Sequence, residues 1–324
     1  MNILITGAAG FIGSHTSEKM LSRGHNVVGI DNFDPFYPKH FKLLNLEDIM
    51  VKKGFTFLEG DIQDRPFLNN LFSLHKIDSV IHLAAKAGIR PSIDRIVDYY
   101  ETNVNGTVNL LECMRTNGIK NLLFASSSSI YGNNLKTPFS ESDAVDYPIS
   151  PYASTKKSGE LLCHVYSHLY QFNITCLRFF TVFGPRQRPD LAIHKFTRLI
   201  ESGQTVPFFG DGSTARDYTY VDDIIDGIEC ALNELGGYNL YNLGESREVT
   251  LRELIQVIEN RVGKKARLEM KPMQPGDVQI TFADISKAKK EIGYNPTMSL
   301  VKGIDKFVEW YMNYKKILYP EQIL

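Results

Sequence analysis

The chain has 324 residues, of which 43 % are hydrophobic and 23 % charged, a composition typical of a folded globular protein. Its 36 basic and 37 acidic residues give a formal net charge of −1, which excludes the strongly basic surface typical of nucleic-acid binding. The four cysteines lie far apart without a C-x-x-C pair. The sequence therefore predicts neither a metal site nor a disulfide framework.

The amino terminus enters a short apolar run directly, without a charged leader or a cleavage site. No apolar run approaches the roughly 20 residues that a membrane span needs. We therefore expect a cytoplasmic protein whose partners are small molecules, with no nucleic-acid or membrane partner.

Short β-type runs alternate with longer amphipathic segments through the first two thirds of the chain. Strands are predicted at 3–6, 26–30, 56–59, 79–83, 121–126 and 175–179. Helices are predicted at 13–23, 65–75, 101–117 and 152–170, the last with Ser150 as N-cap and Pro151 in its first turn. This alternation predicts an α/β fold of the Rossmann type, with a doubly wound parallel sheet covered by helices on both faces.

The pattern of predicted elements changes after Gly184. The elements become shorter, and prolines and a Gly-Asp-Gly-Ser turn separate them. Further helices are predicted at 251–262 and 300–314. We expect residues 1–184 to form a dinucleotide-binding Rossmann domain and residues 185–324 to form mainly a smaller α/β region that binds the substrate. Segments around 215–245 are expected to return to the first domain.

A glycine-rich turn with the spacing G-x-x-G-x-x-G follows the first predicted strand and opens a helix. It contains Gly7, Gly10, Phe11, Ile12 and Gly13. Such a turn brings backbone N–H groups close to a pyrophosphate, although a tight strand-to-helix connection is the alternative.

An acidic residue ends the second predicted strand, at the offset of about 20 residues where a carboxylate binds an adenosine ribose. This residue is Asp31, and Asn32 rather than an arginine follows it. The pair favours NAD over NADP, because a carboxylate repels a 2′-phosphate.

Two more strand ends carry candidate cofactor contacts. Asp61, followed by Ile62, is placed to bind the adenine amino group, or alternatively to cap the next helix. Leu83, Ala84 and Ala85 end the fourth strand in a flat surface for a cofactor, although simple helix–sheet packing also explains the two alanines.

Tyr152 and Lys156 lie four residues apart at the start of a predicted helix, so both side chains project from one face. A cation beside a phenol favours the phenolate, which suits acid/base chemistry. The alternative is a surface tyrosine packed on a lysine stem. Four serines, at positions 126 to 129, end the preceding strand at the edge of the sheet where ligands bind in such folds.

These motifs occur together and in this order in the extended short-chain dehydrogenase/reductases, and the chain resembles the nucleotide-sugar epimerase branch of that family over nearly its whole length. The resemblance implies that Ser127 bonds the substrate hydroxyl, Tyr152 removes its proton and Lys156 holds the nicotinamide ribose. It also implies that Asn103 contacts the cofactor, with a helix cap or a solvated side chain as the alternative.

Members of the family that eliminate water from the hexose carry an Asp-Glu pair in the strand-end motif, and members that decarboxylate the sugar carry a glutamate there. Here these positions hold Ser128 and Ser129. The resemblance therefore favours 4-epimerisation, in which hydride leaves C4 and returns to the other face of a transient 4-keto sugar while NAD stays bound.

Two segments, 178–190 and 87–92, are similar to those of UDP-glucuronate 4-epimerases. By this resemblance Arg188, Thr181, Ser128 and Ser129 would bind the sugar carboxylate, with Arg90 as a second cation, Arg216 at the diphosphate and Asp277 at the uridine ribose. Pro91 replaces the family's usual aromatic residue beside Arg90, and a surface arginine is the alternative for Arg188.

The resemblance thus implies an isomerase that interconverts UDP-glucuronate and UDP-galacturonate with tightly bound NAD. A 4-epimerase of UDP-glucose or UDP-N-acetylglucosamine and a non-catalytic NAD-binding interaction protein remain the alternatives. The family also implies a homodimer, with 101–117 and 152–170 as candidate interface helices.

Overall fold

The computed structural model describes residues 1–272 and 278–320. The strands are β1 (Asn2–Thr6), β2 (Asn26–Asp31), β3 (Phe55–Glu59), β4 (Ser79–His82), β5 (Asn121–Ser127), β6 (Asn173–Phe179), β7 (Thr181–Phe183), β8 (Thr205–Phe209), β9 (Ala215–Arg216), β10 (Tyr218–Tyr220), β11 (Tyr238–Leu243), β12 (Val249–Thr250), β13 (Arg267–Lys271) and β14 (Ile280–Thr281). The helices are α1 (Phe11–Ser22), α2 (Lys39–Met50), α3 (Arg65–Leu74), α4 (Ile89–Asp94), α5 (Ile96–Tyr100), α6 (Gly106–Thr116), α7 (Pro151–Tyr170), α8 (Ala192–Glu201), α9 (Val221–Asn233), α10 (Leu251–Val262), α11 (Ser286–Ile292) and α12 (Leu300–Leu318).

The main sheet has seven strands in the order β11-β6-β5-β4-β1-β2-β3, and every neighbouring pair is parallel. Its strands are apolar on both faces because helices cover both; Ile3, Leu4 and Ile5 in β1 are fully buried. The predicted Rossmann-type, doubly wound parallel sheet is confirmed. The strand order reverses direction between β1 and β4, and ligands bind in the crevice at such a point.

Helix α7 begins as predicted. The Ser150 hydroxyl accepts a hydrogen bond from the backbone N–H of Ala153 at 3.1 Å, and Pro151 is the first helical residue. The single helix predicted over 101–117 is instead a π-helical turn, Glu101–Asn105, followed by α6. Helix α2 was not predicted, because the buried polar residues Lys42 and Asn45 interrupt its apolar pattern.

The chain after Gly184 forms most of a smaller region with three short sheets, in the orders β10-β7, β12-β9-β14 and β13-β8; the strand β7 precedes Gly184. One strand from this part of the sequence, β11, pairs with β6 at the edge of the main sheet. The division into residues 1–184 and 185–324 stays a prediction. Among the helices of residues 1–272 and 278–320, none combines the length and apolar character required to cross a bilayer.

Candidate functional site

A cavity of about 500 Å³ opens at the carboxyl ends of the central strands, between the main sheet and the smaller region. It gathers most of the residues predicted to bind cofactor or substrate. The predicted residues in its lining are Gly7, Gly10, Phe11, Ile12, Gly13, Asp31, Asn32, Asp61, Ile62, Leu83, Ala84, Ala85, Ser127, Ser128, Ser129, Tyr152, Lys156, Thr181, Arg188 and Arg216.

The glycine turn packs too closely for side chains. Gly7 has a φ of +72°, and a Cβ added to it would lie 2.9 Å from the backbone nitrogen of Ala84. A Cβ on Gly13 would lie 2.0 Å from the carbonyl oxygen of Gly7. Helix α1 starts directly after Gly10, without a side-chain cap from the described residues and without an acid in its first turn. Its first N–H groups therefore face the cavity as an anion site.

Asp31 ends β2 and is 7 % exposed. Its Oδ1 atom accepts hydrogen bonds from the backbone N–H of Phe33 at 2.8 Å and from Nζ of Lys42 at 3.2 Å. Lys42 lies in α2 and also lines the cavity, so a buried cation accompanies the carboxylate. Sequence reasoning missed Lys42, and a basic residue 11 positions after the acidic strand end, in the first turn of the next helix, is the signal that could have found it.

Asp61 lies beside Asn32, whose Nδ2 donates to Oδ2 of Asp61 at 2.8 Å. The cap of α3 is Asp64, whose side chain accepts from the backbone N–H of Phe67 at 2.9 Å. The alternative in which Asp61 caps this helix is therefore wrong. Asp61 and Asn32 instead form one polar wall of the cavity.

The end of β4 is fixed to the end of β1 through Thr6. The Thr6 hydroxyl oxygen accepts from the backbone N–H groups of Leu83 and Ala84, both at 3.1 Å, and lies 2.7 Å from Nδ1 of His82. Burial, with a smaller contribution from the charge of Lys156, lowers the pKa of His82 to about 3. The imidazole of His82 is therefore neutral, and it lies next to the cavity-lining backbone of Leu83 and Ala84.

Asn103 is buried but does not line the cavity. Its side chain donates to the carbonyl oxygen of Lys86 at 2.9 Å and accepts from the N–H of Lys86 at 2.8 Å. It also donates to the hydroxyl of Thr155 in α7 at 3.0 Å. Neither a helix cap nor a solvated side chain describes it. Asn103 positions Lys86, a cavity residue that sequence reasoning missed although it directly follows Ala85.

Tyr152 and Lys156 both line the cavity, one turn apart in α7. The Lys156 ammonium donates to the carbonyl oxygen of Ala125 at 2.8 Å, and burial lowers its pKa to about 8. Burial raises the pKa of Tyr152, while a hydrogen bond with Ser127 and the charge of Arg188 oppose that rise. The ring of Tyr99 packs edge-on against Tyr152, with centroids 6.2 Å apart.

The strand-end serines form a tight 3₁₀ turn, Ser128–Tyr131. The Ser127 hydroxyl oxygen accepts from the N–H of Ser129 at 3.2 Å. The hydroxyl of Ser129 is buried, and no partner for it exists among the described residues. A buried hydroxyl without a partner costs free energy, so it is available to bind a ligand in the cavity.

A buried ion pair supports this turn from behind. Glu160 in α7 accepts from Nε and Nη2 of Arg178, both at 2.9 Å, and from the hydroxyl of Ser126 at 2.6 Å. Arg178 also donates to the hydroxyl of Tyr131 at 2.8 Å, which in turn donates to the side-chain oxygen of Asn242 at 2.7 Å. The network ties α7 to β5, β6 and β11.

Arg188 faces the cavity with its side chain 17 % exposed, so it is not a surface arginine. Its Nε and Nη2 atoms donate to the two carboxylate oxygens of Asp190 at 3.0 and 2.7 Å. Its guanidinium also lies 5.0 Å from the ring centroid of Phe36. The neighbouring Arg186 instead pairs with Glu18, away from the cavity lining.

Of the remaining residues predicted to bind substrate, one lines the cavity and two do not appear in its described lining. Arg216 lines the cavity and donates from Nη1 to the carbonyl oxygen of Ala215 at 2.8 Å. Arg90 is exposed and lies over the ring of Phe209, 5.2 Å from its centroid, while its neighbours Ile89 and Pro91 line the cavity. The structure therefore does not bring Arg90 into the described lining, and Asp277 lies outside the described residues.

Comparison with known proteins gives one consistent result. Residues 4–307 match the family described as GDP-mannose 4,6 dehydratase. UDP-glucuronate 4-epimerase of Thermodesulfobacterium geofontis is 42 % identical over 308 residues, which cover 95 % of each chain.

Two solved structures are similar in fold as well as in sequence. UDP-glucuronic acid 4-epimerase from Bacillus cereus, in complex with UDP-glucuronic acid and NAD, is 37 % identical with a TM-score of 0.91, covering 97 % of this chain and 99 % of that one. UDP-glucose 4-epimerase from Thermotoga maritima, with UDP-glucose, is 33 % identical with a TM-score of 0.89, covering 97 % and 100 %. The chain belongs to the GDP-mannose 4,6-dehydratase-like extended short-chain dehydrogenase/reductases.

Proposed function

We propose that this protein is an NAD-dependent UDP-glucuronate 4-epimerase, which interconverts UDP-glucuronate and UDP-galacturonate. The observation that carries the proposal is that one cavity contains both the Ser127, Tyr152 and Lys156 side chains and the guanidinium of Arg188. The first three suit transient oxidation of a hydroxyl, and the guanidinium suits a carboxylate. The relatives named UDP-glucuronate 4-epimerase support the same assignment.

The residues at the inner end of the cavity fit NAD. The glycine turn has no room for a Cβ at Gly7 or Gly13, which leaves a backbone cradle for a pyrophosphate at the start of α1. Asp31 would hold the adenosine ribose, and Asn32 and Asp61 would hold the adenine. When bound, NAD would supply the hydride acceptor for C4 and return the hydride to the same carbon.

The proton of the O4 hydroxyl would be transferred by the protein's own residues. Tyr152, as phenolate, would take the proton of the O4 hydroxyl while Ser127 donates a hydrogen bond to that oxygen. The charge of Arg188 and the hydrogen bond with Ser127 favour the phenolate against the effect of burial. Lys156, one turn along α7, would add a second nearby cation as an ammonium. Tyr152 would return the proton to O4 after the 4-keto sugar has turned over, so the enzyme ends the cycle unchanged.

The strand-end turn lacks the group that expulsion of a sugar hydroxyl would need, which supports epimerisation over dehydration. Expelling a hydroxyl from the sugar needs a general acid, and the positions beside Ser127 carry only the hydroxyls of Ser128 and Ser129. These hydroxyls, with Thr181, can donate hydrogen bonds to a sugar carboxylate held by Arg188. Arg216, at the outer end of the cavity, would neutralise the diphosphate.

The test is to incubate the purified protein separately with UDP-glucuronate, UDP-glucose and UDP-N-acetylglucosamine and to identify the products by NMR. We expect UDP-galacturonate from the first and little turnover of the others. Net NADH formation or a pentose product would contradict the proposal. Arg188→Ala should lose most discrimination between the acid and the neutral sugars, whereas the matched control Arg186→Ala should keep it.

A neutral-sugar 4-epimerase is the second candidate, and one observation favours it. Asp190 already neutralises the charge of Arg188 with two hydrogen bonds, so the cavity does not present a bare cation. Turnover of UDP-glucose or UDP-N-acetylglucosamine, with UDP-glucuronate inert, would select this candidate in the same NMR experiment.

We further propose that the protein forms a homodimer. Leu161, Val165 and Leu169 are spaced four residues apart on one face of α7, and each is at least 44 % exposed. Ile96 and Val97 are also exposed and lie on α5, which packs against α7. Helix α5 directly precedes the 101–117 segment, which was predicted as an interface helix. A second copy with the same stripe would bury this apolar surface symmetrically.

The dimer is tested by light scattering coupled to gel filtration. Wild-type protein is expected to elute at twice the chain mass, and Leu161→Glu with Leu169→Glu at the mass of one chain. A wild-type monomer at micromolar concentration would reject the proposal. A location in the cytoplasm stays a prediction.

A further inference from the structure

The guanidinium of Arg188 has a carboxylate partner before any substrate binds. We propose that Asp190 is a specificity-determining residue that exchanges with the substrate's own carboxylate on Arg188, both when the substrate binds and when the 4-keto sugar turns over. This inference rests on the proposed function and assigns to Asp190 a role in its substrate recognition.

The pair has the two-pronged geometry that a uronate carboxylate could also adopt on Arg188. Asp190 accepts hydrogen bonds from Nε and Nη2 of Arg188 at 3.0 and 2.7 Å, the two-pronged arrangement in which arginine prefers to bind a carboxylate. A sugar carboxylate entering the cavity would seek the same two donors. Asp190 is therefore an internal competitor for the substrate group.

The two partners differ in how they are held. Arg188 lines the cavity, lies over the ring of Phe36 and is within 3.4 Å of the carbonyl oxygen of Ala87. Asp190 is not part of the cavity lining, and its side chain is 38 % exposed against 17 % for Arg188. The arginine can therefore stay in place while Asp190 moves into water, where its charge is solvated.

Exchange is favoured over the two other arrangements. A half-buried guanidinium without any carboxylate loses its compensating charge, which is costly in a partly desolvated site. Two carboxylates on one guanidinium repel each other. The arrangement with one carboxylate at a time, Asp190 or the sugar, avoids both costs.

The exchange would also help the sugar to turn over during the reaction. A 4-epimerase must turn its keto intermediate over inside the cavity, and a firm bond between Arg188 and the sugar carboxylate would hold one face in place. If Asp190 takes the guanidinium back as the sugar carboxylate leaves, the arginine is never left without a partner during the turn. Asp190 would thus weaken the binding of the acid and speed its turnover.

The variant Asp190→Asn tests this, because it keeps the shape of the side chain and removes its charge. We expect the KM for UDP-glucuronate to fall roughly tenfold and kcat to fall by a similar factor, a range typical of coupled binding equilibria. Asp190→Glu, which restores the carboxylate, should recover most of both. A merely structural role would lower kcat without tightening the substrate.

Binding measurements separate the two sugars. In a Tyr152→Phe background, calorimetry should show that Asp190→Asn tightens UDP-glucuronate and leaves UDP-glucose unchanged. In an Arg188→Ala background, Asp190→Asn should have no effect on either ligand, because the competition requires the guanidinium. Thermal unfolding of each variant checks that it is folded.

The outcomes distinguish this inference from the proposed function. If wild-type protein epimerises UDP-glucuronate but Asp190→Asn leaves its KM unchanged or raises it, the exchange is rejected and the function stands. Equal tightening of both sugars also rejects the exchange. If wild-type protein does not epimerise UDP-glucuronate, the function fails, and the calorimetric comparison still decides whether Asp190 competes with a sugar carboxylate.

Discussion

The Nζ atom of Lys156 lies 2.8 Å from the carbonyl oxygen of Ala125, so the end of β5 holds the ammonium group of α7 directly. Lys156→Met should reduce kcat by roughly a hundredfold, within the range attributed to acid–base catalysis, because Tyr152 loses the neighbouring cation. The measurement is single-substrate kinetics with UDP-glucuronate at pH 7.5. Lys157→Met, at the next position of α7, is the control and should keep its activity.

The same substitution should affect stability in the opposite sense. Burial lowers the pKa of Lys156 from 10.5 to about 8, so folding below pH 8 carries the cost of a buried ammonium. That cost, roughly 3 kcal/mol at most, disappears as pH rises from 8 to 10.5. Urea denaturation of the cofactor-free protein should show Lys156→Met at least as stable as wild type at pH 7. The difference in free energy of unfolding between Lys156→Met and wild type should become smaller towards pH 10. A difference that stays constant with pH would contradict the lowered pKa of Lys156.

Cofactor choice should depend on Asp31 and Lys42 together. Asp31→Ser removes the carboxylate that repels a 2′-phosphate and leaves the buried Lys42 ammonium without its ion-pair partner, available to a phosphate. Fluorescence titration should show the preference for NAD over NADP falling by roughly tenfold or more. Adding Lys42→Met to Asp31→Ser should abolish the increase in affinity for NADP. If the double variant binds NADP as tightly as Asp31→Ser does, Lys42 does not bind the 2′-phosphate and the prediction is wrong.

Three histidines, the buried His82 and His194 and the half-buried His15, should make the fold sensitive to acid. Burial is the largest cause that lowers the pKa of His15 to about 4, of His82 to about 3 and of His194 to about 4. Between these values and the unfolded value near 6.5, only the unfolded chain takes up their protons, so stability falls as pH falls. At pH 5 each histidine should have lost roughly 2 kcal/mol of its contribution relative to neutral pH.

Urea denaturation at pH 7.5, 6 and 5 measures this loss. His15→Gln should flatten the pH dependence by about one proton. Equal free energies of unfolding at pH 7.5 and 5 would refute the prediction.

The ion pair between Glu160 and Arg178 should be needed for stability and for activity. Glu160→Gln leaves a buried guanidinium without its counter-charge, and breaking a buried pair in this way costs about 3 to 5 kcal/mol. The control Glu59→Gln removes one partner of an exposed pair with Lys39 and should cost under about 1 kcal/mol. Chemical denaturation distinguishes the two, and similar losses would argue against the network.

Much of the fold was accessible from the sequence, because apolar runs and glycine turns act locally. The strand ends carrying Asp31, Asp61 and Leu83 were predicted from the order of the elements and the residue types there, and the role of Ser127 from the resemblance to the family. Parallel strands bring such ends to one edge, so the cavity residues could be grouped without knowing any contact.

Contacts between distant segments were not accessible in this way. The pairing of Lys42 with Asp31 depends on a helix that its own polar residues obscure. The role of Asn103 depends on a π-helical turn that turns its amide towards Lys86, and π turns have no clear sequence signal. The position of Arg90 over Phe209 depends on how the smaller region packs.

The pairing of β11 with β6 has a consequence for synthesis of the protein on the ribosome. The last residue of β6 is Phe179 and the first of β11 is Tyr238, so roughly 60 residues separate them. At about 5 to 20 residues per second, β6 remains an open edge for several seconds of translation. Until β11 is made, the nascent sheet therefore ends in β6, which pairs with β5 on one side and has an open edge on the other, and the main sheet is complete only after much of the smaller region has been made.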